Sequence, residues 1–177
     1  MDRPKSNLDF RLMSLTYILR DFRLPRVEIL KEAGIRPGFH VLDYGCGPGS
    51  YVSAASNLVG DSGKVYALDI HPLAVRSVQR IASRKRFTNV GTILSDCQTG
   101  LPDGSIDVVF LYDSFHDLAE PEKVLQELYR VLKPNGTLSF SDHHMKETEI
   151  LAKVTSGRLF HLRSRGNRTF GFSKVEH

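Results

Sequence analysis

Three glycines at alternate positions, Gly45, Gly47 and Gly49, follow an apolar run that ends in an acid, in the segment VLDYGCGPGSYV (41–52). Glycine lets a chain turn tightly and lets a ligand approach where a Cβ would otherwise stand, so a buried strand running through such a loop into a helix is a binding arrangement. Asp43 stands just ahead of the glycines. A carboxylate there repels a pyrophosphate arriving at the helix N-terminus and attracts a cationic group; its other reading is a local hydrogen bond to the loop amides. The third glycine comes two residues after the second, and Ser50 occupies the place where the dinucleotide fingerprint has Gly or Ala, so that fingerprint is incomplete. Asp69 closes a second apolar run at the spacing where doubly wound folds put an acid on ribose hydroxyls; alternatively it caps the helix opened by His71 and Pro72.

A second group of chemistry-bearing residues lies further along. His116, His143 and His144 are candidates for taking a proton, because histidine alone among side chains ordinarily titrates near neutrality. His143 and His144 follow an apolar run and so fall at the edge of the sheet where ligands bind, with His116 the first choice as base. Local packing or capping is the competing role for each. Asp113, Asp117, Asp142, His143 and His144 share that edge, but no diagnostic ligand spacing joins them, and no metal is expected.

These residues need a scaffold. Candidate strands are FHVLDY (39–44), KVYALD (64–69), VGTILS (90–95), IDVVFLY (106–112) and TLSFSD (137–142), with helical patterns near 50–59, 72–85 and 120–132 between them. Short apolar strands alternating with helices give a parallel sheet covered on both faces. After a helical stretch near 146–156, RLFHLRS (158–164) and RTFGFSKV (168–175) flank Gly166-Asn167, which predicts an antiparallel hairpin. The expected fold is therefore α/β: a Rossmann-like, doubly wound, mostly parallel seven-stranded sheet with a C-terminal antiparallel hairpin and N-terminal helices. Those helices, near 7–21 and 26–33, make residues 1–38 a cap on a core at 39–177, all within one domain. Phe10, Met13, Tyr17 and Phe22 make the cap a candidate lid over the substrate, or else a cover for the sheet edge.

Composition fits one globular domain: 177 residues, 41% hydrophobic and 25% charged. No apolar run approaches the ~20 residues of a membrane span, and MDRPKSN lacks a secretory signal's apolar stretch, so the expectation is a cytoplasmic protein without membrane insertion. The two cysteines, Cys46 and Cys97, form no disulfide framework or zinc spacing. The net charge of +4, with clusters at 84–86 and 163–168, is read as a solvated basic face rather than a nucleic-acid surface.

Taken together, VLDYGCGPG, VYALDIHPLAV (65–75), LSDCQTGLPDGSIDVVFLYDSFHDL (94–118) and LYRVLKPNGTLSFSD (128–142) resemble the ordered motifs of class I S-adenosylmethionine-dependent methyltransferases. The similarity is to the small-molecule, type 11-like group that includes quinone-biosynthesis and arsenite enzymes, from about residue 28 onward. It implies methyl transfer from S-adenosylmethionine to a small-molecule acceptor. By position, Asp43, Gly45, Cys46, Gly47 and Gly49 would hold the methionine portion, Asp69 the ribose, Ile70 the adenine face, and Asp96 with Cys97 the adenine edge. Tyr112 to His116 would face the methyl donor, giving Tyr112 to the cofactor set and His116 with His143 to the catalytic set. Arsenic chemistry needs several thiolates, which are absent from the acceptor end, and LYDSFHD lacks the Pro-Pro-aromatic motif of nucleic-acid amino-methylating enzymes. The alternatives are a non-catalytic S-adenosylmethionine-binding module and a nicotinamide-dependent oxidoreductase. The acceptor and the oligomeric state are not specified by the sequence.

Overall fold

The structure, a computed structural model, describes residues 6–10, 12 and 26–175. After a helical turn at 7–10 come α1 (Arg26–Glu32), β1 (His40–Tyr44), α2 (Val52–Val59), β2 (Lys64–Asp69), α3 (Pro72–Lys85), β3 (Val90–Leu94) and β4 (Ile106–Tyr112). A 3₁₀ turn (Phe115–Asp117), α4 (Pro121–Val131), β5 (Leu132–Ser141), α5 (Glu147–Thr155), β6 (Phe160–Arg165) and β7 (Phe170–Lys174) complete the order.

The strands form one seven-stranded sheet, β3-β2-β1-β4-β5-β7-β6. β1 to β5 are parallel, and β7 pairs antiparallel with both β5 and β6. The doubly wound sheet and its terminal hairpin are thus as the sequence pattern predicts. Alternation along the central strands feeds two faces. Val41, Val65, Val108 and Phe110 pack with α1 and α2, while Leu42, Leu68, Val109 and Leu111 pack with α4 and α5. In α4, Val124, Leu125, Leu128 and Val131 recur at helical spacing and are buried, so this helix is held by one apolar stripe.

Two local expectations are corrected. β5 begins at Leu132, directly after α4, five residues before the apolar pattern at 137–142. Its register steps from Ile106 opposite Leu132 to Val108 opposite Thr137, so Lys133 to Gly136 bulge out of the ladder, a place that tolerates Pro134. The helix after β2 starts at Pro72 as predicted, but its cap is His71, whose Nδ1 accepts the Leu73 N–H at 3.1 Å, and not Asp69. Met13, Tyr17 and Phe22, three of the four lid candidates, lie outside the described residues.

Strand order reverses between β1 and β4, whose carboxyl ends are neighbours. Loops leaving the two strands there go to opposite faces, opening a crevice at the point where this class of sheet binds ligands.

Candidate active site at the sheet switch point

A cavity of about 660 Å³ occupies that crevice. Its inner end is built by β1, β2 and the glycine loop. Gly45, Gly47 and Gly49 all have positive φ, at 78°, 51° and 91°. They do different things. A Cβ on Gly45 would lie 2.7 Å from Ser114 Oγ, so this glycine lets the loop after β4 close on the loop after β1. A Cβ on Gly49 would lie 2.9 Å from Ile81 Cδ1 and 3.1 Å from Val78 Cγ2, so Gly49 seats the loop on α3 and does not line the cavity. Only Gly47 has open space where a Cβ would stand, with the cavity beyond it.

Asp43 is buried at the cavity wall, and its Oδ2 has no hydrogen-bond partner among the described residues. The amides it was alternatively expected to satisfy are taken: Gly45 N–H and Cys46 N–H both donate to Leu68 O at 2.9 Å. Burial first, and then the charge of Asp69, push the Asp43 carboxyl well above the usual carboxylate range. A buried carboxyl oxygen left without a donor is costly unless something completes it, and a cationic ligand group would do so. Asp69 is engaged on both oxygens, Oδ2 accepting Gly47 N–H and Oδ1 accepting His71 N–H, each at 2.8 Å. It ties the glycine loop to the end of β2 and still lines the cavity. Burial raises its carboxyl above the ordinary value, and the two amide donors partly counter that rise. The open face at Gly47, the Oδ2 of Asp43 and the cavity-facing Asp69 fit a ligand that carries an ammonium at one end and a ribose further along.

Ile70 and Asp96 also line the cavity, and Asp96 O accepts the Tyr44 hydroxyl at 3.2 Å. Cys46 lines it too, with a thiol pushed up by burial and by Asp43 and Asp69, so its sulfur is inert wall rather than nucleophile. Cys97 departs from its expected place. It packs against the core outside the cavity lining, and its amide donates to Ser95 Oγ at 3.3 Å. Tyr112 is buried against the cavity, hydrogen-bonded to Ser139 Oγ at 2.7 Å and edge-on to Tyr51. Burial raises its phenol, so it acts as a neutral wall.

The outer end is formed by the loops after β4 and β5. Asp142, whose side chain is fully buried, accepts from His116 N–H at 3.1 Å and from His144 N–H at 3.1 Å, and pairs with His116 Nδ1 at 2.9 Å. That pairing leaves Nε2 of His116 as the nitrogen able to take a proton, 3.7 Å from Asp117 Oδ2. Asp113, at φ 54°, does the same for the neighbouring loop. It accepts His143 N–H at 3.2 Å and pairs with the His143 ring at 2.7 Å. The His116, His144 and His143 rings lie in a column, with centroids 4.3 and 3.9 Å apart. His116 and His143, which are 27 residues apart in the chain, are thus brought to one mouth. Among the described residues, no three or more His, Cys, Asp or Glu side chains converge as a metal-holding group.

Sequence reasoning missed Tyr51 and His71 as parts of this wall, named Phe10 only as a lid or sheet-edge cover, and gave Asp142 no role as orienter of His116. His71 carried a signal, an N-cap position beside Pro72, but nothing local announces that Phe10 stacks on it.

A sheet reversing between β1 and β4, with a glycine loop at the reversal and an acid at each of the first two strand ends, defines a nucleoside-binding doubly wound protein. A family model described as a methyltransferase domain matches residues 35–164. The chain belongs to the methyltransferase-domain family. Among similar proteins, the ubiquinone/menaquinone biosynthesis C-methyltransferase UbiE of Hydrogenovibrio crunogenus is 33% identical over 139 residues, 75% of this chain and 53% of that protein. The UbiE of Pseudoalteromonas translucida is 29% identical, over 79% of this chain and 57% of its own length. The chain therefore spans about half the length of these relatives. The solved structure of a SAM-dependent methyltransferase from Aquifex aeolicus superposes with a TM-score of 0.75 at 29% identity, covering 85% of this chain and 88% of that one.

Proposed function

We propose that the chain transfers the methyl group of S-adenosylmethionine to a small molecule entering at the histidine-lined mouth. The Oδ2 of Asp43 in the cavity wall, without a partner among the described residues, carries this reading, because the methionine ammonium would complete it and favour its carboxylate form, which a pyrophosphate would oppose. When bound, the cofactor supplies a methyl carbon already activated by its sulfonium, so alignment and exclusion of water are the protein's main tasks. Asp43 and the Gly47 backbone hold the methionine portion, Asp69 the ribose hydroxyls, and Ile70 and Asp96 the adenine.

His116 is the base. Asp142 fixes its ring so that Nε2 receives the proton of an acceptor hydroxyl. With that proton on Nε2, the acceptor would be the nucleophile for the methyl group the cofactor would supply; at a ring carbon, the C–H proton lost as the ring regains aromaticity would return to the phenolate oxygen or pass to water. His143, held by Asp113, is a second basic group at the exposed rim. The names of the relatives make a hydroxylated ring methylated at carbon the first acceptor class to test, with hydroxyl oxygen as the second.

No described helix is long and apolar enough to cross a membrane, which accords with action in the cytoplasm on a diffusible acceptor. The decisive assay is incubation with methyl-labelled S-adenosylmethionine and a panel of quinols and phenols. Label transfer that falls in His116→Ala supports the reading. Saturable cofactor binding with no transfer across the panel would instead favour a non-catalytic binding module.

A further inference from the structure

The amino-terminal segment was expected to lie over the substrate, yet its one described aromatic side chain sits at the other end of the cavity. Phe10 is 6% exposed and lines the cavity next to Asp69, Ile70 and His71. Its ring stacks on that of His71, with centroids 4.4 Å apart and planes inclined by 26°. It also belongs to a buried apolar cluster with Cys46 of the glycine loop and with Ala74 and Val78 of α3. His71 is fixed in turn. Its Nδ1 accepts Leu73 N–H, and its amide donates to Asp69, the acid placed on the ribose.

The turn carrying Phe10 is encoded locally. Ser6 Oγ accepts Asp9 N–H at 3.2 Å and donates to Asp9 Oδ2 at 2.6 Å, and Phe10 N–H donates to Ser6 O at 2.9 Å. This is an N-cap that starts a helical turn and sets which face points inward. Phe10 takes the inward face, while Leu8 and Leu12 are 68% and 57% exposed. A buried aromatic presented by its own capped turn, on a histidine contiguous with the ribose acid, forms one wall of the nucleoside compartment.

We infer that residues 6–10 are a strap over the adenosine end of the cofactor, with Phe10 as its contact and His71 as its anchor. The inference rests on the proposed cofactor site and adds to it a binding residue from outside the glycine-loop core. It reverses the substrate-lid expectation in one respect: loss of the segment weakens cofactor binding itself and not turnover alone. Stacking of an aromatic ring against a purine or ribose face is sequence-independent, so the strap would hold S-adenosylmethionine, S-adenosylhomocysteine and adenosine alike.

Calorimetric titration with S-adenosylhomocysteine and with adenosine tests this on the wild type, Phe10→Ala, the Ser6→Ala/Asp9→Ala pair and Asp43→Asn. Phe10→Ala should weaken both ligands by about tenfold, a loss of one aromatic contact. The uncapped pair should weaken both by a smaller factor, and Asp43→Asn should weaken S-adenosylhomocysteine while leaving adenosine unchanged. The uncapped pair touches only exposed positions, so it decides the matter by the same criterion if Phe10→Ala fails to fold. Unchanged affinity, or loss for S-adenosylhomocysteine with none for adenosine, overturns the strap. Absence of S-adenosylhomocysteine binding by the wild type would overturn the cofactor site beneath it, an outcome distinct from failure of the strap alone.

Discussion

The two ends of the cavity are built on different principles. The donor end is a buried compartment made by contiguous strand ends: Asp43 at the close of β1, three left-handed glycines after it, and Asp69 at the close of β2 tying loop to strand through Gly47. The acceptor end is a rim made by convergence. His116 comes from the loop after β4 and His143 from the loop after β5, each oriented by an aspartate from the other loop, Asp142 and Asp113 respectively. The exchange of partners fastens the two loops together. Loss of one aspartate therefore disturbs a loop as well as a ring. The first end is held within contiguous strand ends, whereas the rim depends on the packing of two loops distant in sequence.

If the ends divide binding from chemistry, substitutions should separate them. The largest effect belongs to His116→Ala, which removes the proposed base and should lower kcat about hundredfold while leaving S-adenosylhomocysteine affinity unchanged. Steady-state kinetics and titration on the same preparation check this. Asp142→Asn keeps the ring but alters the acceptor of its Nδ1, and should give a smaller kcat loss, again without a change in cofactor affinity.

At the donor end, Asp43→Asn should weaken S-adenosylmethionine by about tenfold to hundredfold, the range for a hydrogen bond to a charged group. Asp43 also gives a pH signature. Its raised pKa means the free folded protein keeps the proton longer than the unfolded chain does, so this group's contribution to stability falls as pH rises from the ordinary aspartate value toward the folded one. A bound ammonium favours the carboxylate, so binding should release a proton and tighten as pH rises through the same window. Titration in buffers of different ionisation enthalpy measures the release, which Asp43→Asn should abolish.

Smaller effects sort the remaining residues. Gly49→Ala forces an L-residue to φ 91° against Ile81 and Val78, and should destabilise the fold by at least about 1–2 kcal/mol, read as a lower Tm, with cofactor affinity retained in the folded fraction. Tyr112→Phe leaves Ser139 Oγ without its phenol partner and should cost about 1–2 kcal/mol of stability with little change in binding.

The same division explains how much could be read from the sequence. The donor end was legible because its chemistry is local: strand, acid, glycines and helix lie within twelve residues, and Asp69 follows at a characteristic spacing. The order of apolar runs carried the sheet and its hairpin for the same reason. Two donor-end assignments nonetheless shifted. Gly49 follows the glycine pattern but serves helix packing, and Cys97 neighbours the adenine position in sequence but faces the core. Spacing identifies a position without fixing the direction of its side chain. The rim was legible only as residue types. That Asp142 holds His116 and Asp113 holds His143 depends on the packing of two distant loops, and the seat of Phe10 on His71 spans sixty-one residues.

The central claim is that a buried acid ahead of a glycine loop, one of its oxygens without a partner among the described residues, selects a cationic methyl donor. Calorimetry of the wild type and Asp43→Asn with S-adenosylmethionine, using NADH as the control ligand, tests it most directly. The account expects saturable binding of S-adenosylmethionine by the wild type, a marked loss in the variant and no binding of NADH; NADH binding, or equal S-adenosylmethionine affinity in the two proteins, would contradict it.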